Sequence, residues 1–217
     1  MDTTTQEIMQ PQFYFGTGVY IIKKPEFLEI VKTVVNENLA KLEKIKPELD
    51  EIYPVRMSEN LLGNTRLQEF AQMVTGTGWN VLNSQGYDMD KFQTFFTEMW
   101  CQEHHKHSSM EQHVHNCPAQ LVGFYFLETP ENCSMACIHD PRPSKVQIAL
   151  PMRNANQPSE ANPMLFFKPE AGMLMFTNAW LAHSFTRHAS NEVFKFIHFS
   201  LGANHVTVQQ PQCAIVV

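Results

Sequence analysis

Residues 113–128 read HVHNCPAQLVGFYFLE, and the fold turns on this stretch. His113 and His115 are two positions apart. On a strand, side chains at i and i+2 point to the same face, so the two imidazoles stand side by side at a spacing one metal ion can bridge. Leu121–Glu128 then forms an apolar, aromatic run of strand length. The pair alone is a weak signal, because the chain carries ten histidines and such spacings arise by chance.

Further along, residues 169–185 read PEAGMLMFTNAWLAHSF. Gly172 makes a turn, Met173–Thr177 is a short strand, and His183 follows at its far end. A double-stranded β-helix brings an early strand and a late strand together at one mouth. It therefore needs a close pair of ligands early and a lone histidine late, and His113, His115 and His183 have that layout. Three ligands on one face of an octahedral ion leave three positions open, the arrangement of non-haem Fe(II) oxygenases.

The flanking segments agree with a β-architecture. Short strands are expected over Thr94–Glu103, Met110–His115, Leu121–Glu128, Met135–His139, Met164–Lys168, Met173–Thr177 and Val193–Leu201. Turn signals separate them: Thr129-Pro130, Asp140-Pro141 and Glu170-Ala171-Gly172. Residues 152–163, MRNANQPSEANP, form a polar loop with the character of a lid. So many short strands imply a barrel or jelly roll. The first ninety residues differ. Phe13–Ile22 reads as a first strand, bulged at Gly16 and Gly18. Pro25 opens a helix whose apolar face is Leu28, Val31, Val35, Leu39 and Leu42, ended by Pro47. Thr65 caps a second helix carrying Leu67, Phe70, Ala71 and Val74, with Gly76 as its stop. The chain thus reads as one domain over 1–217: a strand and packing helices over 1–91, a catalytic double-stranded β-helix (jelly-roll or cupin-like) over 92–205, and a tail over 206–217. The fold class is mainly β with flanking helices.

Composition excludes several classes. Of 217 residues 43% are hydrophobic and 18% charged, so a core can form and disorder is disfavoured. The net charge of −6 favours neither nucleic acid nor an anionic membrane. The start, MDTTTQEIMQ, lacks the basic and apolar regions of a secretory signal, and no apolar run approaches the roughly 20 residues of a membrane span. A cytoplasmic protein is expected. The odd number of cysteines (Cys101, Cys117, Cys133, Cys137 and Cys213) then argues for free thiols.

Lys195 stands in EVFKFIHFSL, an otherwise apolar strand. A buried lysine is costly without an anionic partner. Its alternation partners Val193, Ile197 and Phe199 suggest an inward position, where it would meet a carboxylate co-substrate; the plain alternative faces solvent beside Glu192. His198 reads as a core residue. His104, His105 and His107 read as a solvated loop, since adjacent histidines on a strand point oppositely.

Four segments together resemble a 2-oxoglutarate/Fe(II) oxygenase family often encoded by marine tailed phages: HVHNCPAQLVGFYFLETPEN (113–132), HDPRP (139–143), GMLMFTNAWLAHSF (172–185) and FKFIHFSLGANH (194–205). The shared features are H-x-H, a G-x-Y-[YF]-L strand, a D-P-R turn and a G-x-[LM] block ending in histidine. The likeness spans roughly Thr97 to Asn204. It implies a double-stranded β-helix that uses Fe(II), 2-oxoglutarate and dioxygen, releases succinate and CO2, and hydroxylates a small-molecule or protein substrate. It implies His113, His115 and His183 as ligands, Lys195 at the co-substrate's far carboxylate, Tyr125 as a further donor to it, and host cytoplasm as the location. One feature departs from the family: its triad is His-x-Asp or His-x-Glu with a later His, and here His115 takes the carboxylate's place. Either three histidines hold the metal, or Asp140 supplies the carboxylate. Two other readings stay open: a cupin-type metal dioxygenase without 2-oxoglutarate, and a non-catalytic phage structural or recognition protein.

Overall fold

The structure is a computed structural model, and it describes residues 9–206. Cys213 and the expected tail beyond Val206 lie outside the described residues.

Two antiparallel sheets face each other. The larger has the order β1-β8-β5-β10-β3-β2 and the smaller β4-β9-β6-β7. In chain order the strands are β1 Val19–Lys23, β2 Val55–Met57, β3 Phe92–His104, β4 Met110–His113, β5 Leu121–Glu128, β6 Ala136–His139, β7 Met164–Phe167, β8 Met173–Asn178, β9 His183–Phe185 and β10 Phe194–His205. From β3 to β6, and again from β7 to β10, consecutive strands alternate between the sheets, which is the winding of a double-stranded β-helix. The reading of 121–128 matches β5 end for end. The first strand is shorter than expected: it begins at Val19, and Phe13, Tyr14 and Phe15 are exposed. β2 has no counterpart in the sequence reading.

Two helices cover the outside of the larger sheet. Helix α1, Leu28–Ile45, follows a 3-10 turn at Pro25–Phe27. It stops at Lys46 because the residue before a proline is pushed out of helical geometry. Helix α2, Gln68–Ser84, is preceded by a 3-10 turn whose cap is Asn64: its side chain accepts from the Arg66 N–H at 3.1 Å. Thr65 is therefore not the cap, and Gly76 is not the stop. The helix continues because packing outweighs the roughly 1 kcal/mol cost of each glycine. A Cβ on Gly78 would run into Leu201 of β10, so glycine there lets helix and sheet approach closely.

The larger sheet is consequently buried on both faces. Its outer face, with Leu121, Tyr125, Leu174, Ile197 and Phe199, packs on Val31, Val35, Phe70 and Val74 of the helices. Its inner face joins the smaller sheet around Val122, Phe124, Phe126, Met175, Phe185, Phe194 and Phe196. Phe124, Phe126, Phe185, Phe194 and Phe196 form one continuous set of ring contacts, with centroids 4.8–6.4 Å apart. No helix among the described residues is long and apolar enough to cross a membrane. The four described cysteines are free.

Candidate metal centre

The three histidines meet at one end of the barrel. His113 ends β4 and is the register partner of His183, which opens β9. Directly opposed residues of an antiparallel pair share a face, so their rings converge with centroids 4.4 Å apart. His115 lies just past the end of β4, not on it. Its backbone N–H donates to the Ala179 carbonyl at 2.9 Å, which ties it to the β8–β9 connection. Its ring stands 5.2 Å from each of the other two. One nitrogen from each ring falls within 4.8 Å of the others, close enough to share an ion.

The tautomers follow from the hydrogen bonds. His113 Nδ1 donates to the Glu111 carbonyl at 2.8 Å, and His183 Nδ1 to the Leu181 carbonyl at 2.9 Å. A carbonyl only accepts, so Nδ1 carries the proton and Nε2 keeps its lone pair. The Nε2 atoms of His115 and His183 are buried and have no partner. Two buried nitrogens without partners, aimed with a third at one point, are costly in a finished core and ordinary in a metal site. The rings of His115 and His183 are also neutral: burial pushes His183 down to about 3, and burial followed by His198 pushes His115 down to about 4. They present lone pairs without first losing a proton.

A carboxylate does approach this centre, and it is Glu98 of β3. Its Oε1 accepts from His198 Nε2 at 3.2 Å and from Ser200 Oγ at 2.8 Å, and stands 3.5 Å from His115 Nδ1. The His198 hydrogen bond, ahead of the other contacts, holds Glu98 down to about 2. Glu98, His115 and His198 form a second group whose ligand atoms lie within 4.8 Å of one another. His198 is buried, stacked on His115 and tilted against Trp100. The sequence reading missed Glu98. A signal was available: Glu98, Trp100, Gln102 and His104 recur at period two, a polar face on one strand.

Three expected residues stand elsewhere. Lys195 is on the outer face, where Nζ meets Glu103 Oε2 at 3.1 Å, Glu128 Oε2 at 3.6 Å and Asn36 Oδ1 of α1 at 3.2 Å. Tyr125 shares that face: its hydroxyl donates to the Lys24 carbonyl at 2.7 Å, and its ring rests on Phe70. Neither faces the barrel interior, so both fall away as co-substrate anchors. Asp140 is clamped by Arg142, at 3.0 and 2.9 Å, and by Lys145 at 2.8 Å. It joins neither ligand group, which removes it as the alternative ligand. The loop over 152–163 is exposed and is tied to that clamp through the Asn162 carbonyl and Lys145. His104 is buried inside the barrel against Gln102, while His105 pairs outward with Glu103.

Residues 98–197, which contain all three histidines, match the sequence model of the family described as "Putative 2OG-Fe(II) oxygenase". No curated protein matches the chain. Among solved structures, AviO1 from Streptomyces viridochromogenes Tue57 is similar at 9% identity and a TM-score of 0.58, over 86% of this chain and 90% of that one. A prolyl-4-hydroxylase from Pseudomonas putida is similar at 8% identity and 0.56, over 86% and 92%. HygX from Streptomyces hygroscopicus, crystallised with nickel and 2-oxoglutarate, is similar at 14% identity and 0.51, over 86% and 82%. At such identities the likeness is one of fold, and the fold is the double-stranded β-helix.

Proposed function

We propose that this chain is an Fe(II)- and 2-oxoglutarate-dependent oxygenase whose ion is held by His113, His115 and His183. The observation that carries this reading is the pair of buried, unpartnered Nε2 atoms on His115 and His183, converging with His113. The family match over residues 98–197 supports it independently. When bound, Fe(II) supplies a Lewis-acidic centre with open positions for the keto acid and dioxygen, and the co-substrate leaves as succinate and CO2.

This chain's own residues do three things there. The Glu111 and Leu181 carbonyls fix two rings through Nδ1, so the donor atoms are oriented before any ion arrives. Phe124 packs against His183 with centroids 5.6 Å apart and shuts water out from behind. Trp100 Nε1 and Thr177 Oγ1 are buried without partners and offer neutral donors to a ligand's oxygen atoms. Among the described residues no lysine or arginine is fully buried. The substrate to be hydroxylated is a small molecule or a protein, and the resemblance to phage-encoded chains supports action in a host cytoplasm.

The test uses metal-free protein under argon. Fe(II) with 2-oxoglutarate should give a visible charge-transfer band, and air should then release succinate. His183→Ala should abolish both. Failure of the wild-type protein to bind one ion per chain, or ion binding without succinate, would overturn the proposal.

A further inference from the structure

We propose that Glu98 is a positioning residue of the metal centre: it faces Nδ1 of His115 and supplies, from behind that ring, the negative charge that three imidazoles lack. The inference rests on the three-histidine reading above.

Among the described residues the other buried or half-buried carboxylates are matched to cations. Glu103 has Lys195 and Arg56, Glu128 has Lys195 and Lys32, and Asp140 has Arg142 and Lys145. Glu98 differs. Among the described residues its partners are His115, His198 and Ser200, with no lysine or arginine. Its side chain is 34% exposed, so one side is wetted and the other presses into the histidine cluster. It is thus a half-exposed carboxylate whose protein contacts are a hydroxyl and two imidazoles, one of them a candidate ligand.

The tautomer chain gives the direction. His115 Nε2 is the buried nitrogen without a partner, so an ion takes its lone pair there. The proton is then on Nδ1, 3.5 Å from Glu98 Oε1. A carboxylate behind a ligating imidazole fixes ring orientation and raises its basicity. Ser200 and the buried ring of His198, both on β10, hold Oε1 in place for this. Where the related pattern puts a carboxylate on the metal, this chain has His115, with a carboxylate one ring further out.

Cobalt(II) titrated into metal-free, full-length protein tests this, with a competing chelator for affinity and the visible d–d bands for geometry. Glu98→Gln should weaken binding about ten- to hundred-fold. It should still bind one ion per chain, with altered bands and an unchanged melting curve for the metal-free form. Glu98→Asp should recover part of the loss. Ser200→Ala, which removes only a support of Oε1, should cost several-fold and serves if Glu98→Gln does not fold. Binding within twofold of wild type in both variants would overturn the proposal. So would two ions per wild-type chain, which would make Glu98, His115 and His198 a site of their own. A lost affinity that merely follows a lowered melting temperature would also count against it. His183→Ala separates the two levels. If it binds cobalt like wild type, the three-histidine reading fails; if it loses cobalt while Glu98→Gln does not, only the role of Glu98 fails.

Discussion

Acid should unfold the metal-free protein well before its carboxylates titrate. His104, His115 and His183 are ordinarily near 6.5, and burial brings them down to about 3, about 4 and about 3. Each folded value lies below the unfolded one, so between them the unfolded chain binds more protons and stability falls as pH falls. At about pH 5 the unfolded ring is charged and the native ring is not. That lies about 1.5 pH units below the ordinary value, so at about 1.4 kcal/mol per unit each histidine removes about 2 kcal/mol. The three together remove roughly 6 kcal/mol, which rivals the roughly 5–15 kcal/mol that hold a domain together. His198 shifts in the same direction and adds to the loss. Glu98 and Asp140, both held low, contribute only below about pH 4.5 and do not shape this window. Urea unfolding at several pH values between about 7.5 and 5 gives the slope directly. His104 lies away from the ligand set among Phe185, Phe194 and Phe196, so His104→Phe should flatten the slope by about one histidine's share. Stability flat to within about 1 kcal/mol, or an unchanged slope in His104→Phe, would refute the claim that these rings are buried and neutral.

Two further outcomes follow from the outer face of the large sheet. Lys195→Met should cost about 1–3 kcal/mol in urea unfolding, because Glu103 and Glu128 lose a shared cation but keep Arg56 and Lys32; cobalt affinity should not move, and a loss of 2-oxoglutarate affinity at unchanged stability would return Lys195 to the site. Gly78→Ala sets the collision with Leu201, about 1–3 kcal/mol, against the roughly 1 kcal/mol that alanine returns to the helix; a net cost of about 0–2 kcal/mol is expected, and a net gain of about 1 kcal/mol would show that α2 does not lie this close to β10.

The barrel and its three-histidine end were legible in the sequence because each rested on a local rule. β5 is a bounded apolar run, and His113, His115 and His183 fit the ends of strands that this fold brings together. Lys195 and Tyr125 were misplaced for a physical reason. Period-two reading separates inside from outside only when one face is wet, and here helices α1 and α2 bury the outer face as fully as the barrel buries the inner one. Apolar neighbours at Ile197 and Phe199 therefore carried no information about which way Lys195 points. Gly76 misled because the closeness of α2 to Leu201 is a long-range fact. Asp140 looked available because its clamp depends partly on Lys145, on the turn beyond Pro143.

The five phenylalanines beneath the ligands have a kinetic consequence. Rings in such close contact form a block of low compressibility. His183 leans on this block, so its floor is solid whether or not an ion is present. The open approach to the three donor nitrogens is therefore from the half-buried side of His113 and His115, and an entering ion would pass that rim.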